Sequence, residues 1–293
     1  MQHVDACLAC DGRSFVERYA ATFDGNWRDA VPYFLTGRTK AVHGRVVRCN
    51  NCGFIFTSPQ FSSEEYARIY AAVHAGGDAG SSPRARFAAL AQRVRLVETA
   101  GRFLDFGCGS GAFLDAMAGY DGIGFEVQAD VPGGASRHGR FVTGDILADN
   151  MAQTGLAPAS FDFIVAWDVL EHLAEPTRQM ERLNTLLKPG GRLYLTVPNN
   201  ASWVARLSGE KWNMLLLEHL WYFDPATLTR FLERCGFAID TIKAIGYPVD
   251  LATVFLRARQ TYGAWVPPAP PFLANVNVKL PIGLMFVGAT RSA

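Results

Sequence analysis

Residues 101 to 118 read Gly-Arg-Phe-Leu-Asp-Phe-Gly-Cys-Gly-Ser-Gly-Ala-Phe-Leu-Asp-Ala-Met-Ala. Phe103-Leu-Asp-Phe106 is a short apolar strand, three alternating glycines follow it, and Ala112 to Ala118 reads as a helix. Glycines between a strand and a helix permit a sharp turn and a close approach of backbone to a ligand at the strand's carboxyl end. An acidic residue, Glu126, closes the next strand, Gly122 to Val127, and its carboxylate suits the two hydroxyls of a ribose. A third strand, Arg140 to Thr143, runs into Gly144-Asp145-Ile146, where an adenine edge is expected.

The alternation continues outward from that stretch. Phe161 to Trp167 is a strand apolar on both faces except at Asp162, and Pro176 to Leu187 is a helix stopped by Lys188-Pro-Gly-Gly191. Arg192 to Val197 is a fifth strand, and Pro225 to Cys235 is a helix capped by Asp224 and stopped by Gly236. Phe237 to Ile245 and Gly283 to Thr290 read as late strands, and Leu251 to Gln260 as a helix. Apolar strands separated by amphipathic helices predict a parallel sheet covered on both faces.

Upstream, Ser62-x-x-Glu65 is a capping box that opens a helix through about Val73. Ala75 to Pro83 is a linker by composition, and Arg84 to Thr99 is a second helix with Phe87, Leu90, Ala91, Val94 and Val97 on one face. The first 57 residues contain four of the six cysteines as two pairs, Cys7-x-x-Cys10 and Cys49-x-x-Cys52. Four thiolates in two such pairs match a tetrahedral Zn2+ site with no open position, which is structural rather than catalytic. The 38 residues between the pairs make an insertion in a ribbon-like module, and His3 and His43 are expected to be bystanders.

Composition bounds the remaining classes. Of 293 residues, 49% are hydrophobic and 19% charged, which excludes a disordered chain. The formal net charge of +1 argues against a generally basic nucleic-acid binder. No apolar run reaches the ~18 residues of a membrane span. The start, Met-Gln-His-Val-Asp-Ala-Cys, has no basic and apolar leader pattern, so a cytoplasmic location with no membrane insertion is expected.

Five stretches together resemble the class I S-adenosylmethionine-dependent methyltransferases. They are Leu104 to Gly111, Gly124-Phe-Glu126, Thr143-Gly-Asp-Ile146, Phe161 to Leu173, and Leu187-Lys-Pro-Gly-Gly-Arg-Leu193, in the family's order. A dinucleotide-binding fold is the competing reading, but its third glycine would fall at 112, where Ala stands. The resemblance implies a Rossmann-like α/β fold with a seven-stranded sheet and helices on both faces, beside the N-terminal zinc-ribbon-like module. It implies a module over residues 1–57, a helical linker over 58–100, and a cofactor-binding domain over 101–293 with a lid-like insertion at about 198–224.

By the same resemblance, Asp105 faces the cofactor's amino group, and Gly107, Cys108, Gly109 and Gly111 shape the loop beneath it. Glu126 holds the ribose, Asp145 and Ile146 flank the adenine, and Trp167 and Asp168 line the methionine side. The stretch from Val127 to Ala135 departs from the family, with Pro and Gly-Gly where a helix is usual.

His172 and His219 are the candidate general bases, each preceded by a glutamate, Glu171 and Glu218. Trp203, Trp212, Trp221, Tyr222 and Phe223 suggest an aromatic lid, with Asn199 and Asn200 placed to meet a substrate. The layout resembles bacterial methyltransferases of glycan and natural-product pathways. O-methylation of a sugar or another small hydroxylated metabolite is the first expectation.

Two alternatives remain. Sugar C-methyltransferases share the module and the Glu218-His219 pair, but are longer and carry a Tyr where Leu216 stands. Ribosomal-RNA methyltransferases with a zinc module are suggested by Arg13, Arg18, Arg28, Arg38, Arg45 and Arg48.

Overall fold

The computed structural model describes residues 1–34, 42–75, 84–127, 139–148, 154–273 and 276–292. Arg38, the linker after residue 75, and the Pro and Gly-Gly of the stretch after Val127 lie outside the described residues.

Seven strands form the main sheet: β4 (Arg102–Phe106), β5 (Asp121–Glu126), β6 (Arg140–Thr143), β7 (Phe161–Trp167), β8 (Leu187–Pro198), β10 (Phe237–Asp250) and β11 (Asn277–Arg291). Their spatial order is β10-β11-β8-β7-β4-β5-β6. β4 through β8 pair in parallel, and β11 runs antiparallel to both β8 and β10. The chain builds outward from β4 through β5 to β6, then returns to place β7 on the other side of β4. The carboxyl ends of β4 and β7 therefore flank a topological switch point, where open α/β sheets bind ligands.

Strand alternation divides the core into two layers. Phe103, Phe163, Val165 and Trp167 face one side, where α3 (Arg84–Arg95) adds Leu90 and Val94 and α4 (Ala112–Ala116) adds Phe113 and Leu114. Phe103 and Phe163 stack with ring centroids 5.0 Å apart. Leu104, Ile164, Ala166 and Leu195 face the other side. There α5 (Pro176–Leu186) buries Met180, Leu183 and Leu186, and α7 (Pro225–Arg234) buries Leu228, Phe231 and Leu232.

Several boundaries differ from the sequence reading. The α3 helix stops at Arg95, and Val97 is exposed rather than on the buried face. Lys188 to Gly191 belongs to the start of β8 instead of standing apart as a stop signal. The last two strands run on to Asp250 and from Asn277, carrying α8 (Leu251–Tyr262) between them.

The cysteine-bearing residues form a second sheet in the order β1-β2-β3-β9, from β1 (Phe15–Tyr19), β2 (Val46–Cys49), β3 (Ile55–Thr57) and β9 (Trp221–Tyr222). β9 comes from the insertion after β8. Phe54 stacks on Trp221 at 6.3 Å and packs on Phe223 at 5.0 Å. Phe54, Phe56, Phe61 and Ile69 join one continuous core with Leu195, Val197 and Phe231. Trp221 and Phe223 are buried in that core, and Trp212 and Tyr222 in a second cluster with Val46, Ala205 and Leu215. Trp203 alone of the set is exposed.

Between β3 and α3 runs α2 (Ser63–Ala75), whose capping box forms as expected. Ser62 N donates to the Glu65 carboxylate at 2.9 Å, and Glu65 N donates to Ser62 Oγ at 3.2 Å.

Candidate active site and cysteine centre

The glycine turn closes onto the neighbouring strand. Gly107 N and Cys108 N both donate to Phe125 O, at 2.9 and 3.1 Å. Gly107, Gly109 and Gly111 have φ of 74°, 49° and 76°, a region open to glycine and strained for other residues. A Cβ on Gly107 would lie 2.5 Å from Val169 Cγ2, whereas one on Gly109 would meet nothing within 4 Å, so the backbone there borders open space.

Glu126 locks the loop. Its carboxylate accepts from Gly109 N at 3.0 Å and from Val127 N at 2.9 Å. Asp105 is 1% exposed and its Oδ2 has no hydrogen-bond partner. Burial, and then the nearby Glu126, push its carboxyl well above the usual range. A buried carboxyl oxygen without a donor is a costly arrangement in a folded chain. Cys108 is a buried thiol raised by burial, then by Asp105 and Glu126, which holds it in the protonated form. Ile146 is buried and Asp145 exposed, its carboxylate accepting from Leu147 N at 2.9 Å.

At the end of β7, Asp168 sits at φ 54° and is held from two sides. It pairs with Arg86 of α3 and accepts from Thr196 Oγ1 of β8 at 2.6 Å. Neither partner was singled out from sequence. A hydroxyl inside the apolar run Leu193 to Val197 was the available signal for Thr196. Nothing local marks Arg86, which reaches the site from a helix 82 positions earlier in the chain.

The two histidines meet. A 3-10 turn over Leu170–His172 and the insertion around His219 bring their ring centroids to 4.7 Å at 78°. His172 Nδ1 lies 3.0 Å from Glu218 O, and His219 Nδ1 lies 2.8 Å from Met214 O. A carbonyl only accepts, so both Nδ1 atoms carry the proton and both Nε2 atoms present a lone pair. Burial pushes His172 down to about 4, and burial together with His172 pushes His219 well below its ordinary value, so both rings are neutral. Glu171 is 1% exposed, its Oε2 has no partner, and burial followed by Asp168 raises its carboxyl well above the usual range. Burial, and then the charges of Glu218, Glu126 and Glu171, raise the phenol of Tyr70 of α2 above its ordinary value.

Asn199 and Asn200 are occupied locally instead of facing a substrate. Asn199 Oδ1 accepts from Ala201 N at 2.9 Å, and the Asn200 amide donates to Tyr222 O.

The four paired cysteines converge on one point although 38 residues separate the pairs. Cys7 Sγ lies 3.5 Å from Cys52 Sγ, and Cys10 Sγ lies 3.7 Å from Cys49 Sγ. Each pair turns through a knuckle: Asp11 N donates to Cys7 O at 2.8 Å, and Gly53 N to Cys49 O at 3.0 Å. His43 lies outside this cluster, its Nδ1 2.7 Å from Gly44 O.

The profile of the methyltransferase-domain family matches residues 82–242, more than half of the chain. The chain belongs to this family. It is an S-adenosylmethionine-dependent methyltransferase. The ubiquinone biosynthesis O-methyltransferase of Paraburkholderia phymatum is 29% identical over 161 residues, 51% of this chain and 69% of that one. The enzyme of the same name from Methylococcus capsulatus is 25% identical over 162 residues, 49% of this chain and 66% of that one. Among solved structures, an S-adenosylmethionine-dependent methyltransferase from Mesorhizobium loti is 17% identical, with a TM-score of 0.44 covering 69% of this chain and 96% of that chain. Both matches to the O-methyltransferases cover about half of this methyltransferase.

Proposed function

We propose that this methyltransferase methylates a hydroxyl of a small metabolite, a sugar, glycan precursor or natural product, at the His172–His219 pair. The observation that carries this reading is the pair itself. Two neutral imidazoles offer Nε2 lone pairs, their ring centroids 4.7 Å apart, His172 on the turn that follows β7. The curated relatives are O-methyltransferases, which favours oxygen as the acceptor atom.

The residues present fit S-adenosylmethionine, which when bound supplies a methyl group already activated on a sulfonium. Asp105, with its unpartnered Oδ2, would receive the cofactor's ammonium. The loop Gly107 to Gly111, whose backbone is open at Gly109, would lie under it, with Cys108 as a small filler. Glu126 would hold the ribose hydroxyls, Asp145 and Ile146 the adenine, and Trp167 and Asp168 the methionine side. The chain's own task is then to orient the acceptor, exclude water and let the hydroxyl proton go to a lone pair, that of His219 or His172.

Cys7, Cys10, Cys49 and Cys52 would hold a structural Zn2+. Sulfurs about 2.3 Å from a tetrahedral ion lie about 3.8 Å apart, and the two short separations here are 3.5 and 3.7 Å. In this reading residues 1–57 are the zinc module, 58–100 a helical connection, and 101–293 the catalytic domain. A bound zinc would brace the sheet whose fourth strand, β9, begins two residues after His219.

The experiment is S-adenosylhomocysteine release from a panel of sugars, phenols, amines and RNA. Turnover on hydroxylated small molecules that falls about 100-fold in His219→Ala, with cofactor affinity kept, is the expected result. Turnover confined to amines or RNA would overturn it.

A further inference from the structure

We propose that Glu171, His172 and His219 hold a divalent first-row metal ion on the acceptor side of the site, separate from the cysteine centre. One ligand atom from each of the three lies within 4.8 Å of the others. An ion about 2.1 Å from three tetrahedral ligands separates them by roughly 3.4 Å. Modest side-chain rotations about the existing backbone therefore close the site.

Three features point to an ion rather than to a packed cluster. Each imidazole donates Nδ1–H to a backbone carbonyl and keeps the lone pair on Nε2, the tautomer that metal-bound histidines commonly adopt. Glu171 is 1% exposed and its Oε2 meets no hydrogen-bond donor. A buried carboxylate without a donor must take a proton or a cation. A neighbouring carboxylate, Asp168, is already engaged by Arg86 and Thr196.

The three ligands come from two segments that the backbone clamps together. Leu220 N donates to Glu171 O at 2.8 Å, alongside the contact of His172 with Glu218 O. Two imidazoles and one carboxylate suit Zn2+, Co2+, Fe2+ or Mn2+ better than Mg2+ or Ca2+. Three protein ligands leave a position open for an oxygen of the acceptor, whose hydroxyl is acidified by coordination. The inference rests on the reading that this pair serves the acceptor hydroxyl, and it changes how the proton is lost. The imidazoles become ligands, and the hydroxyl proton passes to water as the acceptor oxygen coordinates, before water is excluded.

The test uses the full chain carrying one Zn2+ per molecule, titrated with Co2+. The expected result is one further Co2+ per chain, with weak visible bands and no thiolate-to-cobalt band. In Glu171→Gln and His219→Gln the affinity falls tenfold or more, while S-adenosylhomocysteine binding is kept. No uptake of Co2+, a thiolate band, or equal affinity in both variants would overturn the proposal. Turnover is then followed after dialysis against a chelator too weak to strip four thiolates. Loss restored by Co2+ or Zn2+ supports the ion. Full turnover without it overturns the ion and leaves hydroxyl methylation standing. Uptake of the ion with no turnover on any hydroxylated acceptor refutes the hydroxyl reading instead.

Discussion

Glu126→Ala is expected to weaken cofactor binding on the order of 100-fold. The carboxylate now accepts from Gly109 N and Val127 N, so it both shapes the glycine loop and presents its remaining lone pairs at the carboxyl end of β5. A ribose diol would give it two hydrogen bonds to a charged acceptor, each worth about 1.5–3 kcal/mol. The side chain is half-buried, so water competes, and the lower end of that range applies to each bond. The sum is about 3 kcal/mol, or roughly two decades in Kd. Glu126→Gln keeps one carbonyl acceptor and loses the charge, and a drop of about tenfold is expected. Isothermal titration with S-adenosylhomocysteine reads both variants, with thermal unfolding as the check that the loop's loss has not unfolded the sheet. A Glu126→Ala protein that melts like its parent and binds within threefold of it would refute the reasoning.

Three further outcomes follow from the same contacts. Cys49→Ser removes one of four thiolates and is expected to abolish zinc retention by elemental analysis and lower the melting midpoint; a variant that keeps one tightly bound zinc and its midpoint contradicts the four-ligand centre. Arg86→Met deprives Asp168 of its ion partner, leaving the Thr196 hydroxyl. Cofactor affinity should fall several-fold, about 1–2 kcal/mol for a partly buried charge left with a neutral donor. Unchanged titration would remove Arg86 from the site. Phe163→Ala empties the centre of the β7 layer, where the ring is fully buried and stacked on Phe103. It should cost about 3–5 kcal/mol in urea unfolding, and a loss below 1 kcal/mol would mean the layer repacks.

The parallel sheet was legible because its strands carry their own punctuation. Phe103 to Phe106 ends in glycines whose positive φ the loop uses, and Phe161 to Trp167 is apolar on both faces because helices cover both. The cysteine spacing likewise stated its own geometry, since a two-residue gap closes a knuckle without help from distant chain. What was not legible is what depends on long-range packing. The aromatic run around Trp221 looks the same in sequence whether it forms a lid or a fourth strand. Only the pairing of Ile55 with Tyr222 and the stacking on Phe54 decide that it is a strand. Arg86 enters the site from a helix that precedes the glycine loop, and no local pattern announces it. The meeting of His172 with His219 across 47 positions is of the same kind. Each Glu-His pair was visible, but their union was a product of the sheet-to-sheet clamp.

A crystal structure with S-adenosylhomocysteine bound tests the central claim most directly. The account predicts the thioether sulfur at the switch point between β4 and β7, the ribose on Glu126, and the His172 and His219 Nε2 atoms facing the place of the missing methyl. A sulfur facing away from that pair, into an open arginine-lined cleft continuous with the cysteine sheet, would contradict it.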